Sequence, residues 1–216
     1  MGWGLEIDTE MMRLCRAEMR RGRLHLKRRT EAAVPPGLVR PSPKDVNVTD
    51  GAALSGGLRE LCKNAGCRGW VRVALPDPIF TLRTLATDEV PPKREEARRF
   101  LRWQARDLLP FPQEEARLDF LTAPAGTDGR PRATCLMARG RILAEYEDTL
   151  ARAGLRAAVL DARSICLAQA ASAPLAQGTN RTTATCKDHR RGARMHPPRP
   201  VKGLRLPARL DGRRRA

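Results

Sequence analysis

The chain has 216 residues, of which 41% are hydrophobic, and a formal net charge of +17 with a pI of 11.1. This length allows one or two domains with their own cores. No apolar run approaches the length of a membrane span, and the N-terminus lacks the pattern of a signal peptide. The composition therefore predicts a soluble, cytoplasmic protein.

The positive charge is unevenly distributed. Residues 177–216 contain 12 of the 41 Lys and Arg residues against two of the 24 Asp and Glu residues, and no aromatic residue. Such a segment cannot bury enough apolar surface to offset the conformational entropy lost on folding. We therefore expect a disordered basic tail that begins after residues 172–177.

The first residues have the alternating pattern of a β-hairpin. Leu5 and Ile7 alternate with polar residues, the run Asp8-Thr9-Glu10 makes a turn, and alternation resumes at Met12 and Leu14. A turn that binds nucleotide phosphates needs glycine, because phosphate oxygens must approach backbone N–H groups closely. Here two carboxylates stand in the turn instead.

A third strand is predicted over residues 23–30, followed by a proline-rich surface loop over residues 34–49. Leu24 and Leu26 alternate onto the core face of the strand, and His25 onto the solvent face. A single solvent-facing histidine does not by itself indicate catalysis.

A helix and a fourth strand complete this region. Asp50 is the expected N-cap of the helix and Gly66 its C-cap. Between them, the apolar positions with a 3.6-residue period are Leu54, Leu58, Leu61, Cys62 and Ala65. The strand over residues 69–76 follows. This order of elements begins the βββαβα unit of ribonuclease-H-like, actin-type proteins, in which the first hairpin turn holds nucleotide phosphates.

A second α/β unit is predicted after Pro76. Its elements, in order, are a strand (79–86), a helix (95–109), two hairpin strands (117–123 and 132–138) and a helix (142–154). The apolar stripe of its first helix is Ala97, Phe100, Leu101, Ala105 and Leu108. Trp103 lies off this stripe, either at the edge of the core or against a partner. A last strand (156–161) and a short helix capped by Asp161 end the pattern.

The six cysteines lack the spacing of a disulfide framework. Cys62 and Cys67 could form half of a metal site, but no second ligand pair follows at zinc-finger spacing, and a structural role is the alternative. We attribute the spacing of Cys186 and His189, in the basic tail, to chance.

Several short stretches carry a family resemblance. The most specific are Leu109-Pro110-Phe111 followed by Asp119-Phe120, and Ala153-Gly154-Leu155 followed by a valine-led strand that ends at Asp161. With the run over residues 73–85, they resemble PilM-type type IV pilus assembly proteins, relatives of the cell-division protein FtsA in the actin-like superfamily. The resemblance extends to about residue 172, roughly the first half of a full-length member.

The resemblance implies an α/β, actin-like (ribonuclease-H-like) fold. Residues 1–76 would form subdomain 1A, residues 77–158 an inserted 1C-type subdomain, and residues 159–176 the return to 1A. Residues 177–216 would form the disordered basic tail.

The resemblance also makes the first turn specific. In the family the first phosphate motif reads Gly-Ile-Asp-Ile-Gly-Ser-x-x-x-Lys, so alignment from Gly4 places Glu6 at the aspartate that helps hold Mg²⁺, Asp8 at the glycine, Thr9 at the serine and Arg13 at the lysine. Glu6 is a conservative change. Asp8 adds bulk and repulsion where a triphosphate would lie, which predicts a degenerate, non-functional site. The alternative is a Mg²⁺ ion that bridges Asp8 to phosphate.

In actin-type proteins the second phosphate motif and the glycines around the adenosine come from the half that would follow residue 172. ATP with Mg²⁺ belongs to full-length relatives, and for this chain we expect no cofactor, no metal and no enzymatic activity. The basic tail has two explanations, a frameshift or premature end in a GC-rich gene, or a genuine segment that binds anionic lipid or nucleic acid. Its lack of aromatic residues favours the first. Without a second half, we expect Ile165 and Leu167 to be exposed and the chain to aggregate.

PilM-like proteins lie on the cytoplasmic face of the inner membrane and bind the cytoplasmic N-terminus of the bitopic protein PilN in a groove between subdomains 1A and 1C. The resemblance thus implies a non-enzymatic scaffold of type IV pilus assembly, or of a type II secretion-like platform. No motif identifies the groove residues. Two alternatives are an actin-like ATPase component that needs a separate second half, and a nucleic-acid- or lipid-binding protein that acts through the tail; DNA is not an expected partner of the scaffold.

Overall fold

The computed structural model describes residues 2–20, 23–87, 89–123 and 129–172, which form a mixed α/β structure. The predicted basic tail and the tip of the hairpin at residues 124–128 lie outside the described residues. The strands are β1 (Gly2–Ile7), β2 (Met11–Arg20), β3 (Arg23–Ala33), β4 (Gly69–Leu75), β5 (Phe80–Ala86), β6 (Ala116–Ala123), β7 (Arg132–Arg139) and β8 (Leu155–Ala162). The α-helices are α1 (Gly51–Ala65), α2 (Arg94–Gln104), α3 (Gly140–Arg152) and α4 (Arg163–Ser172).

The larger sheet has five strands in the spatial order β3-β2-β1-β4-β8. The first three strands form an antiparallel meander, whereas β1, β4 and β8 run parallel to one another. The predicted order of three strands, a helix and a fourth strand is confirmed. Because β1, β4 and β8 are parallel neighbours, the residues that follow these three strands meet at one edge of the sheet.

Helices α1 and α3 cover one face of this sheet, and the main core lies beneath them. The core-facing side chains of β1 and β2 are almost completely buried: Leu5, Ile7, Met12 and Leu14. The predicted caps of α1 are confirmed, since the Asp50 carboxylate accepts the N–H groups of Ala52 and Ala53 and Gly66 has a φ of 70°. Only glycine adopts that conformation at little cost, which explains why the helix ends there.

The smaller sheet has three antiparallel strands in the order β5-β7-β6, and it packs on α2 through a second core. Ala97, Leu101 and Ala105 of α2 are buried, as predicted. The predicted helix was too long, however, because the α-helix ends at Gln104 and residues 106–108 form a 3-10 turn. The tighter turn rotates Leu108 out of the stripe, so that this residue is 44% exposed.

The segment over residues 34–49 is not the plain surface loop that its prolines predicted. Val39 and Val48 form an isolated antiparallel bridge, and both side chains belong to the main core. Asn47 is fully buried and donates through its side chain to the carbonyl oxygens of Ser42 and Asp45. The Asn47 backbone N–H donates to Glu145 of α3, so the segment is anchored to the helix layer.

Candidate functional site

The predicted phosphate turn joins β1 to β2 and is closed by its own hydrogen bonds. The Asp8 N–H donates to the carbonyl oxygen of Met11 at 2.9 Å. The Thr9 N–H, a group expected to face phosphate, donates instead to Oδ1 of Asp8 at 2.8 Å. The carboxylate at the glycine position therefore occupies an N–H group that a phosphate would use.

A residue absent from the sequence prediction completes this turn. Arg163, the first residue of α4, donates a short hydrogen bond to Oδ2 of Asp8, and its Nη1 lies 3.6 Å from Oε1 of Glu6. Arg13 pairs with the other oxygen of Glu6 at 3.3 Å. Two carboxylates and two guanidinium groups thus neutralise one another, as listed by position: Glu6, Asp8, Arg13 and Arg163.

The parallel strands explain why Arg163 reaches a turn 155 residues away. Asp8 follows β1 and Arg163 follows β8, and both strands end at the same edge of the sheet on either side of β4. Sequence reasoning missed Arg163 because no local pattern links it to the turn. The parallel topology was the only signal that could have indicated the pairing.

The start of α4 corrects a second prediction. Asp161 was expected to cap this helix, but it lies within β8, is 2% exposed and accepts the N–H of Ala162. Asp77, which follows β4, accepts the Ser164 N–H at 2.9 Å and caps the first turn instead. Burial raises the pKa of Asp161 to about 6.

Beside the turn, on the sheet face opposite α1 and α3, lies an apolar trench of about 460 Å³. Helix α4 covers β4 and β8 on this face. Gly4 and Cys15 lie on its floor, and Leu26, Arg72 and Cys166 are among its walls. Leu26 corrects a prediction, since it was expected on the core face of β3 but faces the trench and is 60% exposed.

The two sheets meet at a junction built around Arg139, at the end of β7. Its guanidinium donates to both carboxylate oxygens of Glu115 and to the carbonyl oxygen of Lys44. Arg141 donates to the same carbonyl oxygen at 2.6 Å. The Arg139 guanidinium lowers the pKa of the Glu115 carboxyl group. These contacts connect the smaller sheet to the segment over residues 34–49.

The remaining candidate residues have ordinary surroundings. His25 is exposed on β3. Trp103 is also exposed, with the Arg106 guanidinium 4.7 Å from its ring centroid, which leaves it at the surface of the smaller domain rather than in its core. Ile165 is partly buried and Leu167 is exposed on α4, as expected for the latter.

Cys62 and Cys67 lie together at the end of α1. The Cys67 N–H donates to the carbonyl oxygen of Cys62 at 2.9 Å, and both side chains are buried. This is the backbone bond and side-chain contact of a Schellman helix end, which gives the pair a structural role. The hydrogen bond between the thiols raises the pKa of Cys67 and lowers that of Cys62. Across the described ranges, no cluster of three or more Cys, His, Asp or Glu residues could hold a metal ion.

Within the part of the chain that the structure describes, no helix has the length and apolarity needed to cross a bilayer.

The fold and the altered turn define a mixed α/β protein with a PilM-like architecture. A solved structure of the PilM-PilN type IV pilus biogenesis complex contains a chain that is 27% identical to this one, with a TM-score of 0.69. The match covers 82% of this chain and 51% of that chain. The resemblance to PilM-type proteins predicted from the sequence is confirmed.

A second solved structure shows the same fold. It is the cytoplasmic domain of EpsL, an inner membrane component of the type II secretion system of Vibrio cholerae, with 13% identity and a TM-score of 0.51. The match covers 76% of this chain and 57% of that chain. This chain thus spans about half the length of the solved chains that it matches. No protein-family model and no curated protein matches the sequence.

Proposed function

We propose that this chain is a non-enzymatic scaffold of type IV pilus assembly, or of a related secretion platform. The observation that carries the proposal is its 27% identity, over 82% of its length, to a chain of the PilM-PilN complex. The fold shared with a type II secretion component is consistent with this role. The scaffold would act at the cytoplasmic face of the inner membrane, where a bitopic partner holds it.

We assign the five-stranded sheet to subdomain 1A and the three-stranded sheet to subdomain 1C, with the predicted boundaries at residues 76 and 158. The presence of two sheets with separate helices supports this division. The inserted subdomain would lie between β4 and β8 in the chain, which agrees with the order of the elements.

The proposed partner is the cytoplasmic N-terminal peptide of a PilN-type protein, bound at the junction of the two sheets. Val46 supports this location, because it is 60% exposed and lies between Lys44, which contacts Arg139, and Asn47, which contacts Glu145. An exposed valine next to a firmly held backbone suits an extended peptide, whose alternate side chains enter apolar pockets.

The chain would work without a nucleotide. Asp8 already accepts the Thr9 N–H, and Arg163 neutralises Asp8 and Glu6, so the turn offers no free N–H and no net positive charge to a triphosphate. This arrangement supports the proposed absence of a nucleotide cofactor, a catalytic metal and ATPase activity.

The test is a titration of the full chain into a fluorescently labelled peptide of about 20 residues from the N-terminus of a PilN-type protein, followed by fluorescence anisotropy. We expect saturable binding that Val46→Asp weakens at least about tenfold. Leu26→Asp is the matched control, because it adds the same charge at an equally exposed apolar residue outside the junction. Absence of binding by a folded chain would refute the proposal.

A further inference from the structure

The two faces of the five-stranded sheet differ sharply in burial. On the face covered by α1 and α3, the side chains of β1 and β2 are at most 2% exposed. On the other face Gly4, Cys15 and Leu26 all remain accessible, and α4 lies against β4 and β8 rather than against these strands. An apolar strip over β1, β2 and β3 is therefore left open beside α4.

The strip has the width of one helix. Neighbouring strands lie about 4.8 Å apart, so three strands present a surface about 10 Å across. An α-helix with its side chains is about 10–12 Å in diameter. The floor is low because Gly2 and Gly4 have no side chains, and a Cβ added to Gly4 would lie 3.2 Å from Sγ of Cys15. A helix placed there would pack beside α4 in the same layer.

The charges around the strip select the partner. Arg72 is exposed on this face, and no carboxylate in the described part of the chain pairs with it. On the neighbouring strand, Arg156 has the exposed ring of Trp70 for company, 5.9 Å from its guanidinium carbon, and no described carboxylate. The nearby Glu6 and Glu31 are already held by Arg13 and Arg29. The face thus has unpaired positive charge beside apolar surface.

We propose that this open face binds an amphipathic α-helix of a separate polypeptide, with an apolar stripe flanked by Asp or Glu. The chain's own residues 177–216 are a poor occupant, since their 12 Lys and Arg residues would be repelled by Arg72 and Arg156. A second copy is also disfavoured, because a two-fold contact would bring these same arginines toward their equivalents. The site is distinct from the junction proposed for the PilN-type peptide.

The test uses the full chain and two labelled synthetic peptides of about 18 residues, each about 27 Å long as a helix. Both carry leucines at helical spacing, flanked by Glu in one peptide and by Lys in the other. By fluorescence anisotropy, the Glu peptide binds and the Lys peptide binds at least about tenfold more weakly. Leu26→Asp and Arg72→Glu each weaken binding of the Glu peptide at least about tenfold.

Two matched variants on the smaller sheet serve as controls. Leu82→Asp and Arg83→Glu introduce the same changes at exposed residues of β5, and both should bind within about twofold of the original chain. Val46→Asp should also bind the Glu peptide normally, which separates this proposal from the proposed function. Equal binding of both peptides, no binding by a folded chain, or an equal loss in Leu82→Asp would overturn it. A dimer in sedimentation velocity that Leu26→Asp dissociates would overturn it as well, and would assign the face to a second copy.

Discussion

The carboxylate of Asp8 and the guanidinium of Arg163 are hydrogen-bonded, although 155 residues separate them in the sequence. The bond joins the turn after β1 to the first residue of α4. It places a positive charge of the protein where a nucleotide-binding turn would hold negative phosphate, and it ties the last described helix to the first hairpin.

Arg163→Gln should therefore destabilise the fold modestly. The side chain of Arg163 is 44% exposed, so solvent screens its pairs with Asp8 and Glu6, and we expect a loss of about 1 kcal/mol in the free energy of unfolding. Urea denaturation measures this loss. Arg156→Gln is the control, because Arg156 has no described carboxylate partner; an equal loss in both variants would contradict the pairing.

Asp50→Ala should lower the free energy of unfolding by about 1 kcal/mol, because the N–H groups of Ala52 and Ala53 lose their acceptor at the start of α1. Asp50→Asn keeps an acceptor oxygen and should recover most of the stability. Thermal denaturation followed by circular dichroism compares the two variants. If both lost the same stability, capping would not be the role of Asp50.

Asp119 anchors α2 to β6 and should be the most costly carboxylate to remove. It is fully buried, and its Oδ1 accepts hydrogen bonds from Arg94 at 2.6 Å and from the Phe120 N–H at 3.0 Å. Asp119→Ala leaves these donors unpaired, and we expect a loss of about 3 kcal/mol in urea denaturation. Glu114→Ala, at an exposed position, should change stability by less than about 0.5 kcal/mol. Similar losses would show that Asp119 is not an anchor.

Asp161→Asn should stabilise the protein at neutral pH. Burial raises the folded-state pKa of Asp161 to about 6, above the value of about 3.9 in an unfolded chain. The stability from this group is therefore fully present below about pH 3.9 and is lost as pH rises through about 6. At pH 7 to 8 the asparagine variant should gain up to about 3 kcal/mol in the free energy of unfolding, and near pH 4 little.

Denaturation midpoints between pH 4 and pH 8 measure this difference. Asp107→Asn, at an exposed residue, should show no such pH dependence. A gain at pH 7 that persisted unchanged at pH 4 would contradict the assignment to Asp161.

Local patterns predicted the elements and the caps of α1, because alternation, helical periodicity and the Asp50 and Gly66 signals each act within a few residues. They failed where distant contacts decide. Asp77 replaces Asp161 as the cap of α4 because the ends of β4 and β8 are adjacent in space. Leu26 has the pattern of a core residue, but nothing in the strand itself specifies which face of the sheet receives the helices.

The candidate site divides in the same way. Glu6, Asp8, Thr9 and Arg13 could be aligned with a phosphate motif, since they are consecutive in one hairpin. Arg163, which neutralises Asp8, and Arg139, which joins the two sheets, are single arginines in an arginine-rich chain, and only the fold distinguishes them from the others.

The most direct test of a scaffold with a closed phosphate turn is calorimetric titration of the full chain with Mg-ATP. The account predicts no binding at millimolar nucleotide, because Asp8 occupies the Thr9 N–H and Arg163 is already paired. Arg163→Gln should not create binding, since Asp8 remains. Micromolar affinity for Mg-ATP, lost on removal of Mg²⁺, would contradict the account and favour an actin-like ATPase component in which the ion bridges Asp8 to phosphate.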